Sequence, residues 1–371
     1  MKICVIGAGA SGVAAAIKYQ QYHVHDEVFI IEHSNKALKK VLATGNGRCN
    51  LGNSSLTKEE FNYPKFLSDY SFNEYVKEIE SFGFKTKLLG NLLYPISESA
   101  QTVRNQMLFQ CQKNGVYIHL NEEFKDYRFE NNRIVVETNL NEYLVDKLII
   151  ATGGQASPQL GSDGSIYPIL ERHHYHINPL RPGLVPIKTV EKTKTIDGVR
   201  AKADVKLLED GREIFHESGE LLFKKDGLSG IVILNLSNHI SDVDKKTYKI
   251  VLDLVSELSQ RELENYQQNF DKSGFLSAFL QPKLIAYFRE NKYQENIIKN
   301  LKELTFTFRD FYDYEFSQVT LGGVDPYGLF DNLESKHEKN VFLIGEVVDV
   351  HGPCGGYNLT WAFHSAMKVS H

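Results

Sequence analysis

The chain has 371 residues, 42% of them hydrophobic and 24% charged, with a formal net charge of −5. At roughly 150 residues per domain, that length predicts two or three domains with full cores, and the composition excludes wholesale disorder. The acidic balance weighs against a nucleic-acid partner and leaves RNA only a local patch.

Four cysteines, Cys4, Cys49, Cys111 and Cys354, form no CxxC pair. Their spacing suits neither a disulfide framework nor a zinc site, so small packed thiols in a reducing cytoplasm are expected. No apolar run approaches the roughly 18–20 residues of a membrane helix, and no membrane partner is expected. Met1 and Lys2 lead straight into an apolar strand and a glycine loop, so no signal peptide is expected. Composition carries no signal for oligomeric state.

In chain order, KICVI (2–6) predicts a short buried strand, Gly7 to Gly12 a glycine loop, and VAAAIKYQQY an alanine-rich helix. EVFIIE, ending at Glu32, predicts a second strand and completes a βαβ beginning. A basic turn at Lys36–Lys40 and the stretch ATGNGRCN follow. Residues from about 58 to 115 read as mixed and helical, with FNEYVKEIESFGF and SAQTVRNQMLFQCQKNG as helices. VYIHL, RIVVET and EYLVDKLIIATGG read as strands, the last running into Gly153-Gly154. VPIKTV, ADVKLLEDGREIFHE, GELLF, GIVILNLS and KIVLDLV make a β-rich insert over 184–256. Residues 257–310 turn helical, and 311–371 return to strand, glycine turn and a final helix, YNLTWAFHSAMKV. The first part, 1–183, and the last thus combine into one α/β nucleotide-binding domain built from both chain ends and interrupted by the insert.

Four motifs carry candidate chemistry. Gly7, Gly9 and Gly12 have the GxGxxG spacing between strand and helix. The first glycine permits a tight turn, the second lets backbone approach a pyrophosphate, and the third lets helix and strand pack closely. The helix start then offers free N–H groups to phosphates. Glu32 stands 20 residues after Gly12, where a carboxylate accepts both ribose hydroxyls and repels a 2′-phosphate. Thr44-Gly45-Asn46-Gly47-Arg48-Cys49-Asn50 reads equally as a donor-rich cofactor cradle and as a surface turn. Ala151-Thr152-Gly153-Gly154 lies at a strand's carboxyl end, where ligands bind in open sheets, though an ordinary turn explains it alone. In the run from Gly345 to Asn358, Glu346 and Asp349 suit ribityl hydroxyls or ordered waters, the plain alternative being a crowded structural loop, and the last helix begins after Gly355-Gly356. A helix start aimed at a flavin ring favours its anionic reduced form. His173, His174 and His176 lack partner ligands, so no metal site is expected.

TGNGRCN after the glycine loop, then ATGG, GSDG, PGLVPI, GELLF, GLSG, TLGGV and GEVVDVHGPCGGYNLTWAF, resemble the BaiN-like, aminoacetone-oxidase-like family of FAD flavoproteins over nearly the whole chain. Ile166, Ile231 and Ala366 depart from its pattern, standing where the family has glycine, proline and glycine. The resemblance implies FAD and a Rossmann-like FAD-binding domain from both chain ends, with a β-barrel-like insert and a small helical segment. Carried over by position, Gly7, Gly9, Ala10, Ser11 and Gly12 face the pyrophosphate, and Glu32, with His33 beside it, the adenosine ribose. Lys40, Thr44, Gly45, Gly47, Arg48, Cys49 and Asn50 line the cofactor's middle and flavin side. Ala151, Thr152 and Gly153 lie near the adenosine half. Gly345, Glu346, Asp349, Gly355, Gly356, Tyr357, Asn358 and Leu359 meet the ribityl chain and flavin.

The expected function is a FAD-dependent oxidoreductase acting on a small-molecule substrate. A hydride would pass through flavin N5 between a donor, NAD(P)H or an amine, and an organic acceptor or oxygen. No second GxGxxG is visible, so NAD(P)H is a candidate transient reductant only. Arg48, His351 and Tyr357 are polar residues in flavin-side motifs, but none is assigned as catalytic. The alternatives are a flavin-binding redox sensor without turnover, and a flavoprotein acting on tRNA.

Overall fold

The computed structural model describes residues 1–270 and 272–369; residue 271 of the helical segment and residues 370 and 371 at the chain end lie outside the described residues. The chain divides into two compact units, one of Met1–Arg181 with Val319–His371 and the other of Pro182–Gln318. Both chain ends thus enter one unit.

The first unit is built on a five-stranded parallel sheet. Its order is Val341–Leu343, Lys147–Ile150, Lys2–Ile6, Glu27–Glu32, Tyr117–Leu120. Cys4 pairs with Leu148 on one side and Phe29 on the other. Strands covered on both faces read as unbroken apolar runs, which is why KICVI, VFII and LII were recognisable. Strand order reverses beside the first strand, so a crevice opens at the carboxyl ends Ile6 and Ile150, the place where open α/β sheets bind ligands. The first helix, Ala10–Tyr22, is buried from Ser11 through Gln20. Its alanines let it lie close between neighbours, since a helix apolar all round belongs inside. The last helix, Tyr357–Lys368, seals the same region: its Trp361 Nε1 donates to the Gly345 carbonyl at 3.0 Å.

Two features of this unit escaped the sequence pattern. Between the expected helices, found at Phe72–Glu80 and Ala100–Lys113, the strands Thr86–Leu89 and Leu92–Pro95 pair with each other, and Leu92–Pro95 also pairs with Gly52–Asn53. A third meander strand, Phe124–Glu130, pairs with Arg133–Thr138, whose other neighbour is Glu142–Val145. The strand FKDYRFE carries little apolar alternation because only Tyr127 is buried in it.

The second unit is a closed antiparallel barrel ordered Ile187–Thr189, Gly227–Ser229, Arg212–Lys224, Arg200–Glu209, Tyr248–Asp253, Leu304–Phe311. Closure removes free edges. Ala203, Val205 and Leu207 alternate inward along one strand, toward Leu221, Phe223, Ile250 and Phe306. GIVILNLS, expected as a strand, is the helix Ile231–Ser237. Its β-branched residues suggested extension, but only Val232, Ile233, Leu236 and Ser237 are buried, a one-faced helical spacing. Gly230 turns the chain into it with φ +96°, and Ile231 occupies the first helical position, where proline fits naturally. The helical segment supplies Gln260–Gln267, Pro282–Glu290 and Ile297–Lys302 before the chain re-enters the barrel at Leu304.

The histidine cluster joins parts of the first unit. His173 sits between Asp126 (Nε2 to Oδ1, 2.8 Å) and Glu338 (Nδ1 to Oε1, 3.0 Å), stacked on Tyr127 at 3.8 Å. Burial opposes its charge, but the hydrogen bonds to Glu338 and Asp126 prevail and raise its pKa. A raised folded pKa contributes stability that is complete below the ordinary value of 6.5 and lost as pH rises through the folded value. His173→Gln should therefore cost about 1–3 kcal/mol in urea unfolding under mildly acidic conditions, a hydrogen-bonded charge being lost from between two partly buried carboxylates. The gap to wild type should narrow as pH is raised.

Candidate functional site

The three loop glycines play distinct roles. At Gly7 (φ +100°) an added Cβ would stand 2.5 Å from the Ala151 carbonyl oxygen and 3.1 Å from the Thr152 Cα. At Gly12 it would stand 2.0 Å from the Gly7 carbonyl oxygen. At Gly9 it would meet nothing within 4 Å. Two glycines thus allow backbone to touch backbone, and the third leaves an approach open. Gly9 caps the first helix without any side-chain bond, so the opening N–H groups of Ala10, Ser11 and Gly12 form a partly positive helix end.

Beside that end lies the carboxylate of Glu32, which accepts from the Ala8 N–H and the Ser34 N–H, both at 2.8 Å. A carboxylate offers about four acceptor positions, so two bonds fix its orientation and capacity for two hydroxyls remains. His33 is exposed at the rim, its Nδ1 3.5 Å from Glu32 Oε1.

The loop Thr44–Asn50 is tightly wound. Gly45, Asn46, Gly47 and Cys49 all have left-handed backbone, with φ of 56°, 54°, 83° and 63°. For the two non-glycines this costs about 1–3 kcal/mol each, which surrounding bonds must hold in place. Cys49 N donates to the Thr44 carbonyl at 3.0 Å, and Thr44 Oγ1 to the Val41 carbonyl at 2.7 Å. Cys49 is fully buried and its thiol is pushed up to about 11 by that burial, so it packs as an apolar group and is no thiolate at neutral pH. Arg48 lies over the Tyr94 ring at 5.0 Å, with the Glu98 carboxylate 3.8 Å away. Asn50 Oδ1 accepts weakly from Gly52 N at 3.4 Å. Gly47, like Gly9, has nothing within 4 Å of its missing side chain.

Just after this loop, Gly52 and Asn53 meet the C-terminal motif. A Cβ on Gly356 (φ +101°) would stand 2.6 Å from the Gly52 carbonyl carbon, and Asn53 Nδ2 donates to the Gly355 carbonyl at 3.2 Å. Gly356 begins the last helix, again with no side-chain cap. Gly345 (φ +71°) packs on Ser11, whose Oγ would be 2.5 Å from an added Cβ. Glu346 joins three further segments: Oε2 pairs with Lys40 Nζ at 2.9 Å, Oε1 accepts from Thr320 N at 2.8 Å, and Gly153 and Gly154 lie alongside.

Gly7–Gly12, Ala151–Gly153, Lys40, Glu346 and Gly345 are therefore contiguous, and Gly52–Asn53, which follow the Thr44–Asn50 loop, are contiguous with Gly355–Gly356. Four residues turn elsewhere. Asp349 is ringed by Asn62 Nδ2 (3.0 Å), Asn178 Nδ2 (2.8 Å) and Gly322 N (3.2 Å). Burial raises its pKa despite those bonds. Asn358 holds its own turn, accepting from Gly352 N and donating to the Gly352 carbonyl, each at 3.0 Å. Tyr357 donates to Glu60 Oε2 at 2.7 Å, and Leu359 packs on the core. Asn62 and Asn178 were not legible in advance, since no local pattern marks an amide that clamps a residue far along the chain. Thr320 stood within TLGGV, though nothing marked its hydroxyl as acceptor for the Gln155 N–H (2.6 Å) and the Ala156 N–H (2.9 Å).

Because the three glycines differ in what surrounds them, alanine should separate them. Gly12→Ala should cost more than about 2 kcal/mol or prevent folding, since overpacking against backbone has no low-energy relaxation. Gly9→Ala should stay within about 1 kcal/mol of wild type in thermal unfolding of the apoprotein, the cost of a poorer cap.

Residues 1–371 match the family described as HI0933-like protein Rossmann domain. The 3-dehydro-bile acid delta(4,6)-reductase of Clostridium scindens is 30% identical, over 98% of this chain and 96% of that protein. The ribosomal RNA dihydrouridine synthase of Escherichia coli is 28% identical, over 98% and 95%. Among solved structures, the open conformation of a flavocytochrome c3 fumarate reductase shares the fold at a TM-score of 0.52 and 13% identity, over 100% of this chain and 77% of that one. The 3-ketosteroid-Δ4-(5α)-dehydrogenase of Rhodococcus jostii does so at 0.50 and 11%, over 99% and 95%. The chain belongs to the HI0933-like Rossmann family of FAD-binding oxidoreductases, the flavoprotein family its motifs resemble.

Proposed function

We propose that this chain holds FAD along its glycine-lined loops and reduces a carbon–carbon double bond conjugated with a carbonyl group. The observation that carries the first half is the open approach at Gly9, beside an uncapped helix start and the buried, oriented carboxylate of Glu32. Those groups suit a pyrophosphate and a ribose diol. Lys40 and Glu346 would hold the middle of the cofactor, and Gly47, Arg48 and Gly355–Gly356 its flavin side. Bound FAD supplies a two-electron hydride carrier. The residues supply orientation, close main-chain approach and a partly positive helix end at Gly356.

The second half rests on chemistry common to two relatives. A 3-dehydro-bile acid with Δ4,6 unsaturation is a ketone conjugated with its double bonds. Dihydrouridine arises by reducing the C5–C6 double bond of uracil, which is conjugated with the C4 carbonyl. Both reductions place hydride on the carbon distal to the carbonyl. The shared reaction is the reading for this chain, and the acceptor is a small conjugated ketone or a uracil base. NAD(P)H is the proposed electron donor.

The purified protein should be yellow, with absorbance near about 450 nm that NADH or NADPH bleaches anaerobically. Androst-4-ene-3,17-dione and unmodified ribosomal RNA are then added separately. Return of the yellow colour with one of them, and a product two hydrogens heavier by mass spectrometry, is the expected result and tells the two acceptors apart. Gly9→Ala should weaken FAD binding by about tenfold or more while the apoprotein stays folded, since one lost close contact to a charged group is worth about 1.5–3 kcal/mol. A colourless protein that refuses added FAD sinks the reading. A flavin that reduces but passes electrons to neither acceptor instead marks a redox-sensing module.

A further inference from the structure

His351 lies in the flavin-side motif, yet it takes part in none of the contacts described so far. Its main chain is pinned at both ends by one residue. His351 N donates to Asn62 Oδ1 at 2.8 Å, and Asn62 N donates to the His351 carbonyl at 3.1 Å. The same Asn62 amide donates to the Asp349 carbonyl (3.1 Å) and carboxylate (3.0 Å). Asn178 spans Asp349 and Tyr63 Oη, at 2.8 and 3.2 Å. Both amides are thereby fully engaged as donors, and the Asp349 carboxylate accepts three bonds.

The His351 imidazole is different. Among the described residues it makes no hydrogen bond, and its nearest charged neighbour is Asp349 Oδ1 at 3.8 Å from Nε2. Its side chain is only 19% exposed. Its ring nitrogens reach solvent from a backbone held at both N and O, so the ring's donor is open to a ligand. Burial, helped by the positive Arg181, pushes its pKa down to about 4, so the ring is neutral near pH 7. The other charged groups facing this cluster are Asp349 and, beyond it, Asp325. A neutral imidazole donates one hydrogen bond and brings no charge with it.

We propose that His351 binds the substrate's carbonyl oxygen, donating the hydrogen bond that stabilises negative charge gathering there during reduction. This rests on the proposed function. In that reaction the distal carbon gains a hydride, carrying both electrons, from reduced FAD that a nicotinamide has recharged. The π electrons shift toward the carbonyl, and a proton from solvent completes the proximal carbon. The imidazole keeps its proton throughout, which is the arrangement a neutral electrophile provides. Pinning by Asn62 means no reorganisation is needed when the charge develops.

The test uses the holoprotein with His351→Phe and His351→Gln. Both should retain FAD and be bleached by NAD(P)H at the wild-type rate. Reoxidation by whichever of androst-4-ene-3,17-dione or ribosomal RNA serves wild type should fall on the order of 100-fold in His351→Phe, the usual cost of one donor to a developing oxyanion, with partial recovery in His351→Gln. A second readout needs no flavin. Because the ring's folded pKa lies below its ordinary 6.5, its contribution to apoprotein stability is complete above that value and lost as pH falls toward about 4. Wild type should lose stability across that window more steeply than His351→Gln. Wild-type reoxidation rates in both variants, or equal acid slopes, overturn the assignment alone. Loss of FAD from His351→Gln also overturns it, by placing the residue in the cofactor site. If wild type is reoxidised by neither acceptor, the proposed reduction fails and this assignment falls with it.

Discussion

Everything in the first unit depends on one contact: the turn after the first strand lies directly against the turn after the fourth, with Gly7 and the Ala151 carbonyl in van der Waals touch. Parallel strands side by side bring their carboxyl ends to one edge, and reversal of strand order beside the first strand leaves a gap there. A side chain at residue 7 would prop the two turns apart. A side chain at residue 12 would lift the helix off the loop it opens on. With both absent, the helix end, the Glu32 carboxylate and the 345–346 turn come within reach of one another. Gly345 settles on Ser11 in the same way, so the segment from the far end of the chain closes the same edge.

That dependence explains which parts were legible from the amino acids. Tight main-chain approach is only possible with glycine, and glycine at fixed offsets from an apolar run survives as a pattern in one dimension. GxGxxG, TGNGRCN and GPCGG are of this kind, and the structure packs Gly7 on the 151–152 turn and Gly356 on Gly52. The insert was legible as short strands between turns, its barrel form only through the family resemblance; Ala203, Val205 and Leu207 face inward on a period of two. What failed was local and short. The run Ile231–Ser237 is too brief for its period to separate helix from strand, and the positive φ at Gly230 that decides the matter is set by the close Glu220 carbonyl, a tertiary neighbour. The edge strand Phe124–Glu130 was invisible because only Tyr127 of it is buried, so no apolar face alternates along it.

Side-chain roles were less legible than backbone roles, for a related reason. An acid or amide in a motif has the same letter whether it faces a ligand or the protein. Asp349 and Asn358 are held by protein groups on every side the structure describes, and Cys49 is desolvated. Their part in the site is to shape the loops that glycines bring together. Asn62 does this across the chain, fixing 349–351 with four hydrogen bonds from one residue. Such a clamp leaves no trace in spacing, because its two halves are 287 residues apart.

The proposed grip on FAD, mainly by main chain, has a consequence for substrate range. Main-chain contacts depend on glycine positions and on the helix starts, not on the side chains that line the remaining space. Relatives named for a bile acid and for ribosomal RNA match this chain over 95% or more of their lengths at 28–30% identity. Acceptors so different in size can share one scaffold if the common requirement is small: a conjugated carbonyl beside a hydride donor. Function then resides in a site grafted on the fold, and the residues that distinguish acceptors are free to vary around a fixed main-chain grip. For the proposed reduction, a rigidly mounted side chain with an unengaged donor therefore carries more meaning than a charged residue already paired within the protein.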